Sequence, residues 1–162
     1  MKVGRGDSLK RLILAIVLLI ALVFSGCSSS EAPKSTAKDQ DREFIQWYKK
    51  HSRLVIDDFR QIRIALERGD IDNAASWAKQ MKSDTETPRC DEFKVSTKLV
   101  PAQTHYKSFL ASMNQAAAGL LDFFENGNSK SFDTALEHLE TAFNQLNMTE
   151  SYIQKYCESH EC

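Results

Sequence analysis

FIQWYKKHSRLVIDDFRQIRIALERGD, residues 44–70, carries the pattern from which the architecture is read. Phe44, Tyr48, His51, Val55, Phe59, Ile62 and Leu66 recur at steps of three and four, which places them along one face of an α-helix. Trp47, Leu54 and Ala65 widen that stripe, and Lys49, Lys50, Arg53, Arg60 and Glu67 fall between its members as solvated positions. Gly69 ends the helix because a left-handed cap is free of strain only for glycine, and Asp70 is placed to cap the next helix at once. So short a joint forces two antiparallel helices.

Working outward toward the C-terminus, a second and shorter helix turns Ile71, Ala74, Ala75, Ala78 and Met81 inward and fades between Thr85 and Pro88. At roughly 16 residues it spans about 24 Å, against about 42 Å for the others. Thr87 to Ser96, holding Cys90, Phe93 and Val95, is the one long connection within the fold, and helix resumes at Thr97 or Lys98. Pro101 is tolerated there because the first amides of a helix lack internal partners. The third stripe is Leu99, Tyr106, Phe109, Leu110, Met113, Ala117, Leu120 and Phe124, with Ala116 to Gly119 marking a close helix crossing. Asn126-Gly127-Asn128 is a second tight stop, and Phe132, Leu136, Leu139, Phe143, Leu146, Ile153 and Tyr156 make the last stripe. Short, long and short connections between four amphipathic helices, without a strand pattern, predict an all-α, up-down-up-down four-helix bundle over residues 41–162. A pair of separately packed hairpins is the alternative.

The N-terminal end reads differently. Lys2, Arg5, Lys10 and Arg11 precede an uncharged apolar run from Leu12 to Phe24, too short for the ~20 residues that a spanning helix needs. The run closes on Ser25-Gly26-Cys27. Cysteine after small residues at the end of such a segment resembles the lipobox of prokaryotic lipoproteins, although Phe24 stands where leucine is usual. The resemblance covers residues 1–27 and implies that residues 1–26 are a signal peptide that is removed and that the Cys27 sulfur receives a diacylglycerol group. Two or more acyl chains hold a protein stably at a membrane, where one holds it marginally. Residues 27–40 then form the lipidated cysteine and a flexible linker, Ser-rich and broken by Pro33. Ser28 stands where an inner-membrane retention signal would place Asp, so the expected location is the periplasmic face of the outer membrane in a two-membrane envelope, otherwise the outer face of the cell membrane.

Composition narrows the partners. Residues 27–162 retain 17 of the 21 basic and 21 of the 22 acidic side chains, a net charge of −4, and the sequence shows no basic stripe, which argues against nucleic acid. In the expected topology the Cys90 loop and the tail share one end of the bundle. Outside the cytoplasm, a Cys90 to Cys157 disulfide is therefore expected, with Cys162 as an alternative partner for Cys90 or a local one for Cys157. Zinc held by Cys90, Cys157, His160 and Cys162 fits no strong ligand spacing, and no metal or cofactor is expected. Because the second helix is short, an aromatic cavity near the membrane, lined by Trp47, Tyr48, His51, His105, Tyr106, Tyr152 and Tyr156, is the candidate ligand site. Gly-x-Ser-x-Gly, phosphate-loop and His-Glu-x-x-His patterns are missing, and Asp57-Asp58 and Asp91-Glu92 read as solvated pairs, so no enzymatic activity is expected. The reading that follows is a lipid-anchored extracytoplasmic module acting by protein contact in the cell envelope. Small-ligand or metal binding in the aromatic cavity is the alternative.

Overall fold

The computed structural model describes residues 36–86 and 88–159. The expected signal peptide, Cys27, the expected linker up to residue 35, His160 and Cys162, with everything expected of them, lie outside the described residues. The described residues form an all-α up-down-up-down bundle: α1 (Ala37–Glu67), α2 (Ile71–Thr85), a 3-10 turn (Pro88–Glu92), α3 (Val100–Asn126) and α4 (Ser129–Ser159).

Each boundary has a local cause. Helix α1 begins four residues ahead of the expected start because Thr36 and Asp39 form a capping box. The Asp39 amide donates to Thr36 Oγ1 at 3.3 Å and the Thr36 amide donates to Asp39 Oδ2 at 3.0 Å. Its end is the anticipated glycine joint: Gly69 sits at φ +70°, its amide reaches Leu66 O at 3.0 Å, and the Asp70 amide reaches Ala65 O at 2.9 Å. Asp70 then accepts from the Asn73 amide at 3.1 Å and starts α2. Gly127, at φ +67°, stops α3 in the same left-handed way. Beyond it, Asp122 gathers Asn126, Asn128 and the Ser131 hydroxyl around the joint into α4.

Small side chains decide which helices come closest. Ala74 and Ala78 are fully buried on α2, as are Ala116 and Ala117 on α3 and Ala135 and Ala142 on α4. A Cβ built on Gly119 would stand 2.8 Å from Ser131 O and 3.0 Å from the Ala135 methyl, so α3 and α4 cross there at backbone distance, as the Ala-Gly run predicted. Helices α1 and α4 meet instead through large groups, with Phe59 edge-on to Phe143 at 5.8 Å. Leu54, Ile71 and Leu136, expected inside, are 43–47% exposed. Leu54 borders open depressions on the outside of α1.

Where α2 ends early, the connection to α3 fills the gap. Phe93 packs on Phe44 and Trp47 at 5.7 and 5.2 Å between ring centres. The Gln103 amide group donates to Cys90 O at 2.6 Å and Phe93 O at 2.9 Å, stapling the segment down. Asp41, only 2% exposed, accepts from the Ser96 amide at 2.7 Å with one oxygen and from the Tyr156 hydroxyl at 2.8 Å with the other. One buried carboxylate thereby ties α1, the loop and the end of α4 together.

Candidate functional site

The expected aromatic residues divide between two places. Trp47, Tyr48, His51 and Tyr106 come together where α1 faces α3 alongside the end of α2. Trp47 stacks on His51 at 4.8 Å and 16°, and Tyr106 stands edge-on to Tyr48 at 4.8 Å. Tyr106 is fully buried and His51 is 8% exposed, so these rings fill the space they surround. His105, by contrast, donates from Nδ1 to Gln145 Oε1, 2.7 Å away, and stacks on Tyr152 of α4 at 5.5 Å. Tyr156 is committed to Asp41. The two imidazoles have separate partners and do not converge on one cavity.

His51 has a defined chemical form. Its Nε2 lies 3.0 Å from the main-chain oxygen of Asp84, which can only accept, so Nε2 carries the proton and Nδ1 accepts from the Tyr106 hydroxyl at 2.7 Å. Burial holds the imidazole below its ordinary pKa, against a smaller opposing pull from Asp84, which favours this neutral form. Burial likewise raises the Tyr106 and Tyr48 phenols. The Tyr48 hydroxyl has no partner in hydrogen-bond geometry.

Next to His51 lies a carboxyl pair, one member of which, Asp58, the sequence reading placed in solvent together with Asp57. Asp58 of α1 is 3% exposed and faces Asp84 of α2. Burial, and then the adjoining Asp84 carboxyl and the charge of Asp57, push Asp58 up to about 7, so its own carboxyl is only partly ionised at neutral pH. Asp84 Oδ2 also accepts from Gln80 Nε2 at 3.0 Å. Beside this pair is a surface depression of about 470 Å³ whose wall includes Trp77 and Leu54.

The anticipated Cys90 to Cys157 disulfide is not formed. Cys90 is a free, buried thiol whose Sγ faces Gln103 O of α3 at 3.8 Å, because the loop turns this side chain under itself. Burial, reinforced by Asp91 and opposed by Lys107, pushes it up to about 12. Cys157 is disulfide-bonded, with its partner outside the described residues. Among the described residues no group of three or more His, Cys, Asp or Glu stands where it could hold a metal ion.

The larger open feature runs along the outside of α1. A groove of about 700 Å³ lies beside Trp47 and Leu54, continuing into a smaller depression of about 290 Å³ against Phe93. Lys49, Lys50 and Arg53 line it from α1, and Arg89 from the 3-10 turn closes the opposite lip, 5.8 Å over the Phe93 ring. The linear sequence shows no basic stripe, whereas folding brings Arg89 to three cations of α1. No family model, curated protein or solved structure matches this chain.

Proposed function

We propose that the chain is a lipid-anchored extracytoplasmic module that works by contact with another protein of the cell envelope, without chemistry of its own. The anchor in this reading is Cys27, on the strength of the lipobox-like segment that ends there. No described helix is long and apolar enough to cross a membrane, so attachment falls to the N-terminal segment. The observation that carries the contact role is the α1 groove, where folding leaves Leu54 46% exposed beside a partly buried Trp47 while the interior behind them is filled. Apolar surface left in a concavity is what a docking partner covers.

Two measurements test it. In living cells, Cys27→Ser abolishes fatty-acid labelling and moves the protein out of the membrane fraction; unchanged labelling and partitioning refute the anchor. A photo-reactive side chain at Leu54 gives a discrete cross-linked species in intact membranes, whereas the same probe at exposed Met148 on α4 does not. Equal cross-linking from both positions refutes a contact role for the groove.

A further inference from the structure

We infer that the α1 groove receives an acidic amphipathic helix from the partner protein. This rests on the contact role proposed above and names the chemistry of what is contacted.

Three observations point to that occupant. The first is spacing. Glu43, Trp47, Lys50, Leu54 and Asp57 all line the groove and its extension, and they follow one another at steps of four, three, four and three. That alternation is the seam along which a second helix packs, and it runs about 21 Å, close to four helical turns. Trp47 and Leu54, seven residues apart, supply its apolar anchors, as one heptad does in a paired helix.

The second is uncompensated charge. The ion pairs among the described residues engage Arg60, Arg63, Lys79, Lys82 and Lys107, and none engages Lys49, Lys50, Arg53 or Arg89. Of the two carboxylates at the ends of the seam, Asp57 is already neutralised by Arg60 at 2.7 Å. Four unpaired cations therefore border an apolar strip on a body whose net charge is negative, and a partner with carboxylates flanking its own apolar stripe complements both features.

The third is distribution. A single phosphate or lipid headgroup is held by donors converging on one point. Here the cations are spread along α1 and across to the 3-10 turn, which suits an elongated ligand whose negative charges are spread likewise. Trp47 supplies a rigid aromatic anchor of the type that dominates interface energetics.

The test uses the full lipidated chain in neutral detergent micelles, uniformly labelled with ¹⁵N. The probe is a synthetic 21-residue helix with Leu at heptad spacing and Glu on both flanks; its Glu→Gln counterpart and phosphatidylglycerol vesicles serve as alternatives. Trp47 and Trp77 each give an indole N–H signal, so the second is an internal control. The acidic helix is expected to move the Trp47 signal and leave Trp77 in place. Its affinity should fall about tenfold in Lys50→Glu/Arg53→Glu and again when salt is raised from 0.05 to 0.5 M, as screening requires. Leu54→Ala should weaken binding, whereas Met148→Ala should not.

Equal binding of the Gln peptide overturns the inference, since charge would then not select the ligand. Failure of the acidic peptide to bind at all overturns it too. Movement of the Trp47 signal by the vesicles in preference to the peptide, lost on charge reversal, overturns it in favour of a membrane surface. If the peptide fails while cross-linking from Leu54 persists in membranes, only the partner's chemistry is wrong and the contact role survives.

Discussion

Replacing Asp58 by Asn should make the bundle more stable, and by an amount that grows with pH. The native carboxyl keeps its proton up to about 7, whereas an ordinary Asp loses it near 3.8. An acid whose pKa is raised by folding costs stability as pH climbs, because the unfolded chain gives up its proton first. The native state is least penalised below 3.8, loses ground through the window and levels off above about 7. At 1.36 kcal/mol per pH unit the whole window amounts to at most about 4 kcal/mol, of which about 2 kcal/mol falls between pH 5 and pH 7. Asn cannot ionise and is close to Asp in size. His51 titrates nearby with the opposite sign: its lowered pKa withdraws stability as pH falls below the ordinary histidine range. That contribution is common to both proteins and cancels in their difference. Urea unfolding of wild type and Asp58→Asn at pH 5, 6, 7 and 8 should show the gap widening by about 2–3 kcal/mol and then flattening. A gap that does not change with pH, or an Asn variant that loses ground at pH 8, refutes the raised pKa of Asp58.

Gly119→Ala adds helix propensity worth about 1 kcal/mol but forces a methyl against the Ser131 carbonyl, and overpacking of this kind costs about 1–3 kcal/mol. The net result should be a lower melting temperature, where an exposed Gly→Ala change would raise it. Tyr156→Phe removes the donor to the buried Asp41 carboxylate and should cost about 1.5–3 kcal/mol. It should also speed hydrogen exchange at the Ser96 amide, which shares that carboxylate, and unchanged exchange there would argue against the clamp. Cys90, buried and with its thiol pushed up to about 12, should resist maleimide at pH 7 in the native protein and react once urea unfolds it.

The helices were legible because their signals are local. A three- and four-residue period, glycine at each tight joint and Asp70 after Gly69 all act within a few residues of where they are read. Cys90 shows the limit of such reading: its place in the connecting loop was clear, but the direction of its side chain is set by Gln103 on α3. Asp41 and Asp58 stand on faces whose burial depends on Tyr156, Ser96 and Asp84, far along the chain, and a carboxylate looks solvated until such partners are known. The candidate cavity was inferred from helix lengths and the heights of its aromatic and imidazole residues, and Phe93 with Tyr106 packs into that region. Lys49, Lys50 and Arg53 were read correctly as surface cations. That they form one lip of a groove depended on Arg89, delivered by a turn whose position periodicity does not report.

The Asp41 clamp has a mechanical consequence. Asp41 lies five residues after Thr36, about 7.5 Å along the helix axis. Tension applied to the N-terminal end of α1 therefore meets, within a turn and a half, a side chain gripping both the Ser96 amide and the Tyr156 hydroxyl. The load divides between two strands of attachment in parallel, so peeling α1 away requires both to rupture together, and a pull on this end is passed into α4 and the loop before the helix itself begins to unwind.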